Sequence, residues 1–372
     1  MTRRNKITIA GIAAVMVIAI GAILYFMVYL PSRPTTNAKI LATPYTQSIQ
    51  TMGTTVTITD YTNAKGQESA VAGALKIAQN YNTWATVNQK GSIVDEINNG
   101  AGNGKPVKVS AEMFTLIQDA YDLSSQGTGY DVTIGALTQL WHIGFPDAKL
   151  PTQTEIDAVL PTINYKFLIL NKSNQTVYLS HKGTQLDLGS ITKGYTAKLM
   201  TAYLKAHGMT DGIVDLGSSS LYIMGHSPRG AKIPWNVGVK DPNNPTGENI
   251  GILTAENQFV STSGIYERYL KVGNTIYPHI LNPATGFPFS NDIQSITIVG
   301  TDDATYGDGV STTIFALGTK KGYAYVLAHH LQAVFVDKGG KVYVTPGLKG
   351  KFTLNSASNY KLADISSLQG NG

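Results

Sequence analysis

Residues 187–195 read DLGSITKGY and bring together an acid, a glycine turn, a hydroxyl and a lysine. Ser190 and Lys193 have the S-x-x-K spacing that penicillin-binding proteins and serine β-lactamases use for nucleophilic catalysis. The chain contains neither S-x-N nor K-[ST]-G, the companion motifs of those enzymes, which argues against acyl-enzyme chemistry. A loop that cradles a phosphate and an ordinary strand-to-helix turn are the two other interpretations of this stretch.

A second glycine-rich stretch, GAGNGKP at 100–106, has a superficial likeness to a phosphate-binding P-loop. The P-loop pattern requires a glycine five residues before its second glycine, and a serine or threonine after its lysine. This chain has Asn99 and Pro106 at those positions. The stretch is therefore interpreted as a glycine-rich turn.

Several further blocks between Met52 and Leu317 would each be ordinary structure on their own. Taken alone, GYDVTIGAL at 129–137 reads as a turn and a strand, and DGVSTTIFALG at 308–318 reads as a core helix. The order of the blocks is more specific: M-G-T, S-x-x-x-x-I-N, D-V-T-x-G, D-L-G-x-I-x-K-G, V-D-L-G, T-S-G-x-Y-E-R-Y, H-I-x-x-P-x-T-G and D-x-x-x-T-x-x-F-x-x-G. In this combination the chain resembles the FAD:protein FMN transferase family, the ApbE type.

The resemblance implies a reaction, a substrate and a cofactor. Members of this family split FAD, attach the FMN half through a phosphoester to a threonine or serine of an acceptor protein, and release AMP. They require Mg²⁺. Attack of a hydroxyl on the FMN-side phosphorus needs charge neutralisation, in-line positioning and a base, which the residue types in these blocks can supply.

The residues expected to hold Mg²⁺ lie in two of the blocks. Asp308 and Thr312 are four residues apart, so a helix would place both oxygens on one face. The resemblance assigns these two side chains to the metal, with the backbone carbonyl of Ser190 as a third ligand, and Mg²⁺ prefers oxygen ligands. Ser190 is then expected to act through its main chain rather than as a nucleophile.

The remaining site residues follow from the resemblance and from side-chain chemistry. Lys193 is expected in the first turn of a helix, where its ammonium and the helix dipole both favour the FAD phosphates. His279 is expected to be the general base, because histidine titrates near neutral pH, while a structural imidazole in a hairpin is the alternative. The FAD pocket is expected to include Met52, Trp84, Gly129, Tyr130, Asp131, Asp187 and Ile280.

The chain departs from the family pattern at two places. Trp84 stands where the family usually has tyrosine, although either aromatic ring can stack on a flavin or adenine. Ser218 and Ser219 replace the glycine and asparagine of V-D-L-G-G-N, which can alter the backbone near the adenine or the acceptor. Neither change removes a predicted metal ligand.

Two other functions remain open beside FMN transfer. With water in place of the acceptor hydroxyl, the same site would be an FAD pyrophosphatase that produces FMN and AMP. A non-catalytic flavin-binding surface protein is the second alternative. The predicted metal ligands and base argue against it, because a pure binder needs no base.

The spacing of apolar residues predicts the elements that carry these blocks. Helices are predicted over 68–84, 191–206, 308–317 and 320–330, and Ser110 is predicted to cap another. Short β-rich runs dominate after residue 211, without regular βαβ alternation, so the prediction is α+β rather than a Rossmann sheet. The family resemblance implies one ApbE/T-fold-like domain with mixed helices and antiparallel strands.

Composition excludes several classes of function. The 372 residues are 42% hydrophobic and 14% charged, which is typical of a globular protein. The chain has no cysteine, which excludes disulfides, thiolate chemistry and CxxC zinc sites. The net charge is +5, with Arg3, Arg4 and Lys6 at the start, and no basic run suggests nucleic acid as a partner.

Residues 7–30 contain no charged side chain and are long enough as a helix to span a bilayer. The basic residues before them would stay in the cytoplasm, although a cleaved signal peptide is the alternative. The predicted order is a cytoplasmic segment 1–6, a single-pass membrane anchor 7–30, a linker 31–49, an extracytoplasmic transferase domain 50–362 and a disordered tail 363–372. The acceptors would be exported proteins, such as membrane-linked electron-transfer flavoproteins, as the resemblance implies.

Overall fold

The computed structural model describes residues 40–230, 232–300 and 304–369 of the chain. The predicted cytoplasmic segment 1–6, the predicted anchor 7–30 and residues 31–39 of the predicted linker lie outside these ranges. Inside them, none of the helices combines the length and the apolar character needed to cross a bilayer. The membrane anchor stays a prediction from the sequence.

The described helices agree closely with the predicted ones where apolar residues recur at helical spacing. The α-helices are α1 (Gln67–Trp84), α2 (Ile93–Asn99), α3 (Ala111–Ser124), α4 (Gly135–Trp141), α5 (Gln153–Val159), α6 (Thr192–Ala206) and α7 (Ala304–Ala328). Short 3₁₀ turns cover Leu160–Thr162, Tyr165–Phe167, Pro346–Leu348 and Ile365–Leu368. Gly318 has a non-helical conformation (φ 75°) inside α7, which separates the two helices that the sequence predicts there.

Most of the strands form one nine-stranded sheet with the order β1-β2-β6-β7-β10-β13-β14-β15-β17, antiparallel except for β15 and β17. Its strands are β1 (Tyr45–Thr51), β2 (Thr54–Asp60), β6 (Gly212–Leu216), β7 (Ser220–Met224), β10 (Gln258–Gly264), β13 (Ile293–Gly300), β14 (Gln332–Asp337), β15 (Lys341–Val344) and β17 (Lys361–Leu362). Smaller sheets pair β3 (Val107–Lys108), β5 (Thr176–Leu179) and β4 (Leu168–Asn171); β16 (Phe352–Leu354), β9 (Gly251–Ala255) and β8 (Trp235–Val239); and β11 (Tyr269–Val272) with β12 (Thr275–Pro278).

The central strands of the large sheet are buried on both faces. In β13, Ile296 and Ile298 pack with the helices on one side, and Val299 packs on the other side with the small sheet that contains Trp235. Strand side chains alternate between faces, so burial of both faces produces the near-continuous apolar sequence of this strand. The confirmed class is α+β, with helices α1, α6 and α7 over one face.

Local sequence explains where the helices begin. Ser110 accepts a hydrogen bond from the Met113 amide at 3.2 Å and caps α3, as predicted. Helix α6 has no side-chain cap of its own at Ile191. Its third residue, Gly194, instead donates its amide at 2.7 Å to the carboxylate of Asp308 on α7. The positive end of the helix dipole also favours a carboxylate at this position. The hydrogen bond from Gly194 to Asp308 joins α6 directly to α7, the two helices that carry the site.

Three sequence predictions differ from the structure. Strand β1 begins at Tyr45, inside the predicted linker, because its polar, exposed edge lacks a strong apolar signal. The segment after residue 134, which alone reads as a strand, forms helix α4. The predicted disordered tail contains the 3₁₀ turn Ile365–Leu368, whose two end residues pack against the main core.

Candidate active site

A cleft of about 620 Å³ opens beside α6 and α7, within the size range of small-molecule sites. Its lining comes from distant parts of the chain, beginning with the β1–β2 turn and ending with α7. The predicted site residues that line it are Met52, Gly129, Tyr130, Asp131, Asp187, Ser190, Lys193, His279, Ile280, Asp308 and Thr312. The fold therefore assembles nearly the whole predicted set in one cavity.

The S-x-x-K residues do not form a nucleophile and base pair. The Ser190 hydroxyl donates to the Tyr130 hydroxyl at 3.0 Å, and the Lys193 ammonium donates to the hydroxyl of Ser219. Burial raises the pKa of Tyr130, although its hydrogen bond with Ser190 opposes this rise. Ser190 therefore has a protonated phenol as its partner and no base to activate it.

Asp187, the acid of the same stretch, shapes the loop before α6. One of its oxygens accepts the Gly189 amide at 2.8 Å, and the other accepts the Thr138 hydroxyl at 2.7 Å. Asp131 is used in a similar way: it accepts the amide and hydroxyl of Thr133 and the amide of Tyr165. Both carboxylates line the cleft and fix the backbone around it.

Asp308 is the most enclosed carboxylate of the cleft, with 6% of the residue exposed. One of its oxygens accepts the hydroxyls of Ser220 and Ser261 at 2.5 and 2.8 Å, and the other accepts the Gly194 amide. Thr312 lies one helical turn later, and its hydroxyl donates to the backbone carbonyl of Asp308 at 3.2 Å. The helix thus brings both predicted metal ligands to one wall of the cleft.

These residues fit a magnesium ion by their chemistry. Within the described ranges, no three His, Cys, Asp or Glu side chains are grouped to hold a metal, so Asp308 would be the sole carboxylate of its set. Magnesium takes oxygen ligands, commonly with only one or two carboxylates, and keeps several waters. A carboxylate, a hydroxyl and a main-chain carbonyl beside an open cleft match that preference.

His279 lies at the end of β12 and remains partly accessible from the cleft, although protein surrounds most of its ring. Its Nδ1 is 3.2 Å from the Arg268 carbonyl oxygen; since a carbonyl can only accept, Nδ1 carries the proton. Desolvation, together with the positive charges of Arg268 and Lys193, lowers the pKa of His279 to about 4, against the smaller effect of the carbonyl. At neutral pH its Nε2 is therefore an unprotonated acceptor.

The β1–β2 turn contributes a second wall through an unusual backbone. Met52 and Gly53 both have positive φ, 56° and 68°, which is the conformation that a two-residue hairpin turn requires. The Met52 amide donates to the Asn82 side chain at 2.8 Å. A Cβ on Gly53 would lie 2.9 Å from the Arg268 guanidinium, so glycine permits the close approach of this arginine.

Charge in the cleft is balanced by groups on several elements. Burial raises the pKa of Glu267, and the positive charges of Lys193 and Lys240 oppose this rise. Arg268 follows Glu267 directly and also lines the cavity. Lys193 and Arg268 thus face the cavity beside Glu267, whose negative charge burial disfavours, so this side of the cleft is the part best suited to an anionic group such as a diphosphate.

Trp84 is the one predicted site residue that the structure does not place in the cleft lining. It packs partly buried against the core and meets Tyr81 edge-on, with ring centroids 5.5 Å apart. Tyr81 and Ala85 are four residues apart and share the helix face that reaches the cavity. The aromatic contribution of α1 to the cleft is therefore Tyr81.

Other lining residues carried no motif in the sequence. Asn82 orders the Met52 turn, and the loop 141–145 after α4 closes one end of the cavity. Trp141 is fully buried and its indole donates to the Gly286 carbonyl at 2.8 Å. The sequence offered one signal for this part of the lining, namely the helical spacing that places Tyr81 on the buried face of α1.

Comparisons with known proteins agree with this geometry. The ApbE family model matches residues 52–335. An FAD:protein FMN transferase of Klebsiella pneumoniae is 32% identical over 311 residues, covering 83% of this chain and 94% of that protein. Another, of Treponema pallidum, is 27% identical over 82% of this chain and 87% of its own length.

Solved structures show the same likeness. The crystal structure of the ApbE protein from Thermotoga maritima superposes with a TM-score of 0.75 and 27% identity, covering 83% of this chain and 99% of that one. The family match spans the β1–β2 turn, the α6 loop, His279 and α7, which together form the cleft. The chain belongs to the ApbE family.

Proposed function

We propose that this protein transfers the FMN moiety of FAD to a threonine or serine hydroxyl of an acceptor protein, with Mg²⁺ as cofactor, and releases AMP. The observation that carries the proposal is the convergence of Asp308, Lys193 and a neutral His279 on one cleft. Asp308 would be the ligand of a hard cation, Lys193 would bind phosphate and His279 would be the base. Phosphoryl transfer to a hydroxyl requires all three of these groups.

The diphosphate of FAD would bind between the N-terminus of α6 and the Lys193 ammonium. The positive end of a helix dipole and a nearby cation both favour negative charge. Asp308, Thr312 and the Ser190 carbonyl would hold Mg²⁺, which supplies charge neutralisation at the phosphoryl oxygens when bound. Burial of Asp308 would strengthen its interaction with a bound cation, because charges attract more strongly away from bulk water.

His279 would accept the proton of the acceptor hydroxyl at Nε2, while Nδ1 keeps its proton and continues to donate it in the hydrogen bond to the Arg268 carbonyl. The hydroxyl oxygen then forms a bond to the FMN-side phosphorus, and the bond from that phosphorus to the bridging oxygen breaks. The bridging oxygen leaves with AMP and carries the electron pair. The histidine later releases its proton to solvent, which its low pKa favours.

The test incubates the protein with FAD, Mg²⁺ and a candidate acceptor and analyses both protein and nucleotide by mass spectrometry. A covalent mass gain on the acceptor equal to FMN, with AMP in solution, supports transfer. Free FMN and AMP without acceptor labelling would identify a pyrophosphatase instead. Intact FAD in the presence of all components would leave only a flavin-binding protein.

The proposed location is the outer face of the cell membrane, held by the N-terminal segment. The support is the uncharged run 7–30 preceded by basic residues. Cell fractionation followed by protease treatment of intact protoplasts or spheroplasts tests it. Membrane-bound protein that added protease digests would agree with the proposal, whereas protected, soluble protein would contradict it.

A further inference from the structure

Two buried serines stand side by side beneath Asp308. Ser220 on β7 and Ser261 on β10 are direct partners in the antiparallel register, so their side chains lie on the same face of the sheet. Both are fully buried, and both hydroxyls donate to one oxygen of Asp308. No catalytic or binding role has been given above to either serine.

The proton of the Ser261 hydroxyl is committed to Asp308. Its neighbour Ser311, whose oxygen is 3.4 Å away, donates its own proton to the Asp308 backbone carbonyl. The Ser311 oxygen also lies 2.8 Å from the Ser263 oxygen. Because Ser311 has already donated its proton, Ser263 is the donor in this second hydrogen bond. Each hydroxyl carries one proton, so this network directs the Ser261 proton to the carboxylate.

The start of α7 is shaped to bring Asp308 down onto these strands. A Cβ on Gly307 would lie 1.4 Å from a ring carbon of Phe259, which is on β10 two residues before Ser261. A Cβ on Gly309 would lie 2.4 Å from Leu123 on α3. Glycines on both sides of Asp308 therefore permit an approach that larger residues would prevent.

We propose that Ser220 and Ser261 are positioning residues that fix the Asp308 carboxylate for metal binding. With the Gly194 amide they fill three of the roughly four acceptor positions of an ionised carboxylate. The remaining acceptor position is on the Asp308 oxygen that accepts the Gly194 amide. Asp308 itself lines the cleft. The inference rests on the proposed magnesium site and adds the residues that orient it.

A purely structural role makes a different prediction. If the serines only satisfy a buried carboxylate, their loss lowers stability and leaves the affinity of the folded protein for metal unchanged. If they orient the carboxylate, their loss weakens metal binding in protein that is still folded. Residues that orient a ligand commonly change metal affinity or activity by about 10–100-fold.

The experiment titrates MgCl₂ into the purified protein by isothermal calorimetry, for the parent and for S220A, S261A and the double variant. We expect each single variant to bind Mg²⁺ about tenfold more weakly and the double variant up to about 100-fold more weakly. S261C, which is slightly larger than serine and donates only weakly, should fall between the parent and S261A. T297V is the matched control, because it removes a buried β13 hydroxyl that pairs with Thr262 rather than with Asp308.

A second readout is the dependence of the transfer rate on Mg²⁺ concentration. The half-saturating concentration should rise in the serine variants, while the rate at saturating Mg²⁺ recovers to within about threefold of the parent. Variants that bind Mg²⁺ like the parent but melt at lower temperature would overturn the positioning role of the two serines and leave the proposed function unaffected. Failure of the parent itself to bind Mg²⁺ would instead overturn the metal site of the proposed function, and the inference with it.

Discussion

The two walls of the cleft are built very differently. The deep wall consists of residues of β10, α6 and α7, and β10 lies in the middle of the nine-stranded sheet. The outer wall includes Arg268 and His279, which directly precede and follow the β11–β12 hairpin, a separate two-stranded sheet. Tyr269 and Ile276 on this hairpin are each 51% exposed.

The difference in burial matches a difference in task. The proposed groups for the diphosphate and the cation must keep fixed distances, and they lie on elements packed on both sides. The proposed base must meet a hydroxyl on another protein, and it lies on an exposed element. Short, solvent-exposed sheets open at lower free energy than central strands. Substitutions on the deep wall should therefore affect FAD and metal binding, and substitution of His279 at the outer wall should affect transfer alone.

The largest effect is expected for Asp308→Asn on the deep wall. It keeps the side-chain volume but removes the charge that would hold the cation, so transfer should fall by about 10³-fold or more. The measurement is the rate of FMN incorporation into the acceptor, with circular dichroism to verify folding. A rate within tenfold of the parent would contradict the assignment of Asp308.

His279→Asn tests the outer wall. Loss of the base should lower the transfer rate by about 10²–10³-fold while FAD affinity changes by less than about threefold. Flavin fluorescence measures the affinity, and mass spectrometry of the acceptor measures the rate. Equal losses of binding and rate would show that the two walls do not divide the work in this way.

Ser190→Ala separates main-chain from side-chain function at the loop before α6. The change removes one hydrogen bond, worth about 1 kcal/mol, so the rate should fall no more than about fivefold. Steady-state kinetics with saturating FAD is sufficient. An inactive variant that still binds FAD and Mg²⁺ would restore the serine nucleophile as an explanation.

The pH profile tests the neutral state of His279. Its pKa is lowered to about 4, so the base stays unprotonated as pH falls from 8 to 6, and the transfer kcat/KM should change less than about twofold. Below pH 4 the rate should fall about tenfold per unit as the ring gains a proton. A histidine with an ordinary pKa of 6.5 would already lose about tenfold by pH 5.5, and such a profile would refute the shift.

The smallest effect is expected for Trp84→Tyr, which introduces the residue that the family usually has. Because Trp84 lies outside the lining, FAD affinity should change by less than about twofold, although core packing can lower the melting temperature. Tyr81→Leu on the same helix is the comparison, since Tyr81 lines the cleft. A tenfold loss of FAD affinity in the Trp84 variant alone would reverse this assignment.

Sequence reasoning succeeded where a local pattern determines the structure. Helices α1 and α6 have apolar residues at helical spacing, and the buried central strands are rich in β-branched residues, so both were predictable. The placement of Asp308 and Thr312 on one helix also follows from their separation. The resemblance then supplied the predicted site residues, and all of these except Trp84 line the cleft.

The features that the sequence did not predict depend on tertiary packing. The helical spacing of α1 indicates that Tyr81 is buried, but its packing against Tyr195 on α6 is a tertiary contact that no local pattern shows. The pairing of Ser220 with Ser261 depends on strand register across distant segments. The low pKa of His279 depends on desolvation by neighbours remote in sequence.

The wide separation of the lining residues has a consequence for synthesis. The turn at Met52 emerges from the ribosome early, whereas Asp308 and Thr312 emerge only after almost the whole domain. A growing polypeptide therefore lacks the acidic ligand until residue 308 has been added. Unfinished chains should be unable to consume the cell's flavin dinucleotide, even when their first strands have already paired.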